Sequence, residues 1–292
     1  MKNTWIIALT ILAFGCRPSG KGQPENLVFQ DQGVQREYIL YRPADLSAHA
    51  PLVVAIHGYT DHNRAFMNYT GLNELARKNG FAICYPQGLV DDSSKTFWQV
   101  GYSMHRNQKV DDVRFIATLT RFLQKKFGFD TARTFVTGMS NGGDMCILLA
   151  CREPDLFKAV APVSGCMMQV NLDSCATTAA IPVMMINGTA DSTTWWNGDL
   201  ADRQHYGVYL PTLETFKFFA EKNNCQTFAV DTLPDTYTTD SSFVISTRYT
   251  GETKGNQVWL YQVVNGGHDW VGIDGNMDIN AGEVAWKFFQ QF

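Results

Sequence analysis

Several things are missing from this 292-residue chain, and each absence narrows its function. None of its seven cysteines stands in a CxxC pair, so a zinc ribbon or a dithiol redox motif is not expected. Basic residues are few, 24 Lys and Arg against 28 Asp and Glu, and they form no stripe. A nucleic-acid partner is therefore not expected. No apolar run approaches the roughly 20 residues that span a bilayer, and there is no internal repeat or low-complexity segment. A calcium loop is also lacking. The segment Asp274 to Ala285 imitates one, but its sixth residue is Ile279 where glycine is required and its twelfth is Ala285 where glutamate is required. The chain is thus read as a globular protein with no metal and no cofactor.

What is present begins with an export signature. Lys2 precedes a ten-residue apolar run from Trp5 to Phe14, broken only by Thr10. That length suits the apolar core of a secretory signal. Ala13 and Gly15 supply small residues before Cys16. The stretch allows ordinary signal cleavage, and "LAFGC" also resembles a bacterial lipoprotein box with Cys16 as the lipidated residue. Residues 1–15 are read as the signal, 16–26 as a flexible tether, and 27–292 as one catalytic domain. The expected location is outside the cytoplasm, either secreted or held at the cell envelope by a lipid on Cys16. In an oxidising compartment, Cys166 and Cys175, which flank a short polar loop, could form a disulfide. Cys84 and Cys146 lie in apolar runs and read as small buried hydrophobes.

From residue 27 onward, strand and helix patterns alternate. Leu27–Gln30 and Arg36–Tyr41 read as opening strands. "PLVVAIHG", "FAICYP", "RTFVTG", "KAVAPVSG" and "IPVMMING" are continuous apolar runs, the mark of strands buried on both faces. Phe243–Tyr249 and "QVWLYQVV" complete the strands. Helices are expected over 64–78, 113–127, 141–152, 211–222 and 283–292, the second on the three- and four-residue spacing of Val113, Ile116, Leu119, Leu123 and Phe127. Residues 87–109 read as a long loop. Asp111 and Asp112 suit the first turn of the helix after it, and Asp278 or Asn280 a cap on the last helix. This alternation predicts an α/β fold with a mostly parallel sheet and helices on both faces. In such sheets the site lies at the carboxyl ends of the strands.

Gly138-Met139-Ser140-Asn141-Gly142 fits G-x-S-x-G between a strand and a helix. That is the setting of a nucleophile elbow, with the serine at a sharp turn. A serine hydroxyl needs a base, and this architecture orders the triad serine, acid, histidine. Of the six histidines only His205 and His268 follow Ser140. His268 lies between glycines just past a strand, whereas His205 has no strand before it, so His268 is the expected base. Asp191, just beyond the strand that ends at Asn187, is the expected acid. Asp173, Asp199 and Asp202 lack an adjacent upstream strand. The oxyanion hole is expected from the backbone N–H groups of Asn141, next to the nucleophile, and Tyr59, in the loop after "VVAIHG". His57 reads as structural.

The motifs "NGFAICYPQG", "VDDVRFI", "TGMSNGGDM", "EPDLFKAVAPVSG", "NGTADSTTWW" and "GGHDW" together resemble the polyhydroxybutyrate depolymerase and feruloyl esterase group of secreted α/β-hydrolases. The resemblance runs from about Pro51 to Phe292. It implies the α/β-hydrolase fold, cofactor-free hydrolysis of carboxylic esters, and a triad of Ser140, Asp191 and His268. The chain departs from the group in having Asn187-Gly188 for His-Gly, Val271-Gly272 for Pro-Gly, and no cysteine near Gly251 to pair with Cys225.

Two aromatic, irregular segments flank the expected site, and Trp98, Trp195 and Trp196 in them are candidates for stacking on a sugar or an aromatic acid. The reading is a serine esterase acting on feruloyl or acetyl esters of plant polysaccharide. Its alternatives are a polyhydroxyalkanoate depolymerase and, in another class, a catalytically inactive surface binding protein.

Overall fold

A computed structural model of the protein describes residues 22–176, 179–253 and 255–292. The export signature and Cys16 lie outside the described residues. The chain enters with an antiparallel pair, β1 (Glu25–Asp31) and β2 (Val34–Tyr41). The β/α alternation then begins with β3 (Leu52–Ile56), α1 (Asn63–Thr70), α2 (Leu72–Asn79) and β4 (Ala82–Pro86). A small hairpin follows, β5 (Leu89–Val90) and β6 (Thr96–Phe97), and a 3₁₀ turn over Ser103–His105. Next come α3 (Asp112–Phe127), β7 (Thr134–Met139), α4 (Asn141–Arg152), β8 (Ala159–Val163), α5 (Leu172–Ala176), β9 (Val183–Gly188) and α6 (Thr212–Lys222). The chain ends with β10 (Thr227–Thr232), β11 (Phe243–Thr250), β12 (Gln257–Val264) and α7 (Ala281–Phe289).

Among the described residues ten strands form one sheet in the order β1-β2-β4-β3-β7-β8-β9-β12-β11-β10. The six central strands are parallel and the two at either edge are antiparallel. This is the α/β-hydrolase fold. The apolar runs are continuous because both faces of each central strand are covered. Along β3, Leu52, Val54 and Ile56 join a core with α3, α4 and α6 residues, while Val53 and Ala55 join a second core with α1, α2 and α7. The period of two in a strand sends alternate side chains to opposite cores.

Three local departures from the sequence reading have simple causes. The helix expected over 64–78 is two helices, because Gly71 adopts φ 64° and ends one while starting the next. The loop over 87–109 contains the β5–β6 hairpin, closed by Asp91, whose carboxylate accepts the N–H groups of Ser93 and Lys95. Strand β10 escaped the reading since all six of its residues are exposed. It pairs on one side only, so no apolar alternation marks it. The caps follow expectation: Asp111 accepts from Arg114 N and Asn280 from Glu283 N. Asp112 stands in the first turn of α3, also as expected, and is buried there in an ion pair with Arg36 at 2.7 Å.

The expected disulfide is corrected. Cys175 bonds to Cys151, not to Cys166, which is a free thiol. The bond ties the last turn of α4 to α5. Cys84 and Cys146 are fully buried and free, as expected. Closing a loop with a sequence separation of 24 restricts the unfolded chain by roughly 3 kcal/mol. Replacing Cys151 and Cys175 together by alanine should therefore lower the unfolding free energy by about that amount in urea titrations. A loss below about 1 kcal/mol would contradict it.

Candidate active site

Strand β7 lies at the centre of the sheet, paired with β3 and β8. At its carboxyl end Met139 gives way to Ser140, whose backbone sits at φ 56°, ψ −125°. The glycines around it leave room for this turn. A Cβ on Gly138 would stand 2.6 Å from Gly142 O and 2.7 Å from Ile56 O, and one on Gly142 would collide with the carbonyl oxygens of Ile56 and His57. Ser140 N donates to Val163 O at 2.9 Å, and Ser140 O accepts the N–H of Asp144 at 2.9 Å. The serine is thus held at the head of α4 by both of its neighbours in the fold.

Ser140 and His268 line one cavity of about 350 Å³. His268 follows β12, and Asp191 follows β9, the strand paired with β12. His268 Nδ1 lies 2.7 Å from Asp191 Oδ2. The other carboxylate oxygen accepts the N–H groups of Thr193 and Thr194, each at 2.8 Å. A carboxylate accepts, so Nδ1 carries the ring proton and Nε2 keeps a lone pair. Asp199 and Asp202 are occupied elsewhere, Asp199 accepting from Gln204 N and Asp202 from Gly207 N. Asp173 sits in α5, and His205 is exposed.

His57 has the opposite character. It is fully buried, its Nδ1 donates to Gly58 O at 2.7 Å, and Gly88 N donates to its Nε2 at 3.0 Å. Both nitrogens are in use, and burial pushes its pKa down to about 4. It is a structural, neutral histidine beside the loop that carries Tyr59. No acceptor within the described residues is bonded to Tyr59 N–H, and Tyr59 lines the cavity with Ser140. Asn141 heads α4 one residue past the serine. Its side chain clamps the neighbouring loop, accepting from Trp98 N at 2.7 Å and donating to Trp98 O at 3.1 Å.

None of the tryptophans expected at the substrate site lines the cavity with Ser140. Trp98 is fully buried, and its indole N–H donates to His57 O at 2.9 Å, so it presents nothing to a ligand. Trp195 and Trp196 line a separate hollow of about 360 Å³ that Asp191 also borders, with Arg203 stacked 4.5 Å over the Trp195 ring. The cavity walls are tyrosines instead: Tyr59, Tyr102, Tyr206 and Tyr209. Three of their hydroxyls are already donated. Tyr59 bonds Asp91 at 2.8 Å, Tyr102 bonds Asp144 at 2.6 Å, and Tyr209 bonds Gln204 at 2.6 Å. Burial raises the Tyr59 hydroxyl to about 12 and that of Tyr102 well above the usual range. These residues therefore offer ring surface more than acidic or donor groups. Tyr102 and Tyr206 come from the same two aromatic segments that pointed to the tryptophans, while Tyr59 follows β3 and Tyr209 lies just past the second segment.

Asp144 was not singled out in the sequence, although its place four residues after Ser140 puts it on the same helix face. Its carboxylate accepts from Tyr102 OH and from Cys166 N at 2.7 Å, and both of those residues line the cavity. Burial raises Asp144 to about 6, against the opposing pull of those bonds and of His268. Burial likewise raises the Cys166 thiol, which stays protonated. Among the described residues no cluster of His, Cys, Asp or Glu could hold a metal ion.

The family described as esterase PHB depolymerase matches residues 36–213. The chain belongs to this family. The matched segment includes Ser140 and Asp191, and His268 lies beyond it. The chain is 30% identical over 171 residues to poly(3-hydroxyalkanoate) depolymerase C of Paucimonas lemoignei, covering 58% of this chain and 39% of that protein. It is 25% identical over 177 residues to acetylxylan esterase A of Aspergillus oryzae, covering 60% of this chain and 52% of that one. The chain thus spans about half or less of these relatives' lengths. Among solved structures, the acetyl xylan esterase from Aspergillus awamori superposes with a TM-score of 0.66 at 18% identity, over 92% of this chain and 100% of that one. An S-formylglutathione hydrolase from Agrobacterium tumefaciens gives 0.61 at 13% identity, over 95% and 98%. At these identities the likeness concerns the fold.

The raised carboxyl of Asp144 has a measurable consequence. The folded protein keeps its proton up to about pH 6, whereas the unfolded chain releases it near the ordinary value of about 3.9. The contribution of Asp144 to wild-type stability should therefore fall as pH rises between these limits, and the comparison with a variant isolates it from groups of opposite sign such as His57. Relative to wild type, Asp144→Asn should gain up to roughly 3 kcal/mol between pH 4 and pH 7. Urea titrations at pH 4, 5, 6 and 7 measure this, and a pH-independent difference would refute it.

Proposed function

We propose that the protein is a serine esterase that hydrolyses carboxylic esters through Ser140, Asp191 and His268. The observation that carries this reading is that His268, paired with Asp191 at 2.7 Å, borders the same cavity as a serine on a strained strand-to-helix elbow. His268 Nε2 takes the proton of Ser140 Oγ, which attacks the ester carbonyl. The N–H groups of Tyr59 and Asn141 stabilise the oxyanion. As the tetrahedral intermediate collapses, His268 passes the proton to the leaving alcohol. Water then attacks the acyl-serine, giving up its proton to His268, and the acid leaves with Ser140 restored. Asp191 holds the imidazole in the reactive tautomer throughout.

For substrate, acetyl or feruloyl groups on plant polysaccharide are favoured. The cavity suits a short or flat acyl group, and relatives bear the name acetylxylan esterase. Polyhydroxyalkanoate is the second reading, favoured by the depolymerase relative. Export belongs to the same proposal, supported by the disulfide, which suits an oxidising compartment. Among the described residues no helix is long and apolar enough to cross a membrane.

Ser140→Ala should lower kcat on a small activated ester by at least roughly 10⁴-fold, and Asp191→Asn by about as much. If wild type hydrolyses no acyl ester better than Ser140→Ala, the protein is a binding protein and the esterase reading fails. Methyl ferulate, acetylated xylan and hydroxybutyrate oligomers, compared by kcat/KM, discriminate the substrates. Lipid attachment at Cys16 has its own check. Cell fractionation should find wild type with membranes and Cys16→Ala in the soluble fraction, and an unchanged distribution would refute anchoring.

A further inference from the structure

A second, larger cavity adjoins the one that holds Ser140. It is an open groove of about 1010 Å³. Tyr102 lines both. Its ring is fixed in place by the hydroxyl bond to Asp144. Met168 and Gly207, which line the groove, continue in the chain from residues that border the catalytic cavity, since Tyr206 precedes Gly207 and Cys166 lies two residues before Met168. The groove reaches the upper end of the range for small-ligand cavities, about 300–1,000 Å³. It is too large for one acyl group and suits a chain.

The charges along the groove differ in how they are partnered. Its three carboxylates equal its three arginines in number, and two of the three are held in ion pairs with arginines outside the lining. Asp112 pairs with Arg36 at 2.7 Å, Glu153 with Arg121 at 2.6 Å, and Asp111 caps α3 by accepting from Arg114 N at 2.9 Å. The Arg114 guanidinium is committed to Asp31 and lies near Asp111. Arg106 and Arg152 also line the groove, both exposed, and neither has a hydrogen-bond or ion-pair partner among the described residues. Asp111 keeps its charge and faces Arg114 at 3.9 Å, so the lining is not of one sign; the cations on it that lack a carboxylate partner among the described residues are the two guanidinium forks of Arg106 and Arg152. Such forks bind carboxylates through paired N–H bonds. Val100, Leu148 and Val208 add apolar lining of the kind against which the faces of sugar rings pack.

We infer that this groove is a binding site for the polymer side of the substrate and takes an oligosaccharide that carries uronic acid groups, with Arg106 and Arg152 contacting the carboxylates. The inference rests on the esterase reading for the identity of the neighbouring cavity. The acyl group enters beside Ser140, Tyr102 marks the junction, and the chain bearing the ester runs along the groove. Discrimination between acidic and neutral chains then belongs to the two arginines and is independent of the chemistry at Ser140.

The test uses the full chain in two arms. In the first, Ser140→Ala protein is titrated calorimetrically with an unacylated xylo-oligosaccharide bearing glucuronic acid and with the neutral oligosaccharide of equal length. The acidic chain should bind about tenfold more tightly at low salt, the difference shrinking as salt rises. Adding Arg106→Gln and Arg152→Gln should erase the difference. Equal affinities, or a preference that survives the arginine changes, would overturn the proposal. In the second arm, the double arginine variant with Ser140 intact should keep its kcat/KM on a small activated ester within about twofold while losing about tenfold on acetylated, uronate-bearing oligosaccharide. Equal loss on both substrates would count against the groove. Absence of any hydrolysis by wild type would defeat the esterase reading alone, because the binding arm is read without catalysis.

Discussion

Everything at the site depends on the backbone turn at Ser140. Its conformation, φ 56° and ψ −125°, is one that a residue with a side chain adopts only when its surroundings leave no alternative. Those surroundings are the central strands on either side, the bond to Val163 O, and a carbonyl-lined slot with no room for a side chain at position 138 or 142. Because the turn is fixed there, α4 must start beneath the serine. Asn141 and Asp144 then fall at defined heights on one helix, the first gripping the loop at Trp98 and the second holding Tyr102 and Cys166.

His57, after β3, and His268, after β12, show how context divides one residue type. His57 spends both ring nitrogens on backbone groups and is buried to the point of being neutral at any ordinary pH. His268 spends one nitrogen on a carboxylate and borders the cavity with the other uncommitted. Sequence position told them apart, since only a histidine after the nucleophile strand suits the chain order of this fold. The geometry gives the physical reason: a base needs a free lone pair, and His57 has none.

The central architecture was legible because parallel strands covered on both faces leave continuous apolar runs, and each run ended where a site loop began. Ser140, Asp191 and His268, proposed as nucleophile, acid and base, were picked out by the same logic of strand ends. Strand β10 was not, since a two-faced exposed edge carries no pattern. The break at Gly71 was hidden because the apolar face continues from one helix into the next. The disulfide could not be chosen from spacing, as Cys151 and Cys175 meet only after α4 and α5 pack together. The cavity walls were missed for a subtler reason. Large aromatics in the right loops were recognised, but burial selects which of them face inward, and Trp98 went to the interior while the tyrosines went to the cavity.

The clamp between Asn141 and the backbone of Trp98 divides the loop after β4 into a stem and a tip. The stem is joined through two hydrogen bonds to the residue beside the nucleophile, so its length is fixed as strictly as that of a strand. The tip, residues 92–95, is exposed and held only by Asp91. Insertions and deletions among descendants of this chain should therefore accumulate at the tip, leaving the distance from Trp98 to Asn141 unchanged while the rim of the cleft acquires new shapes.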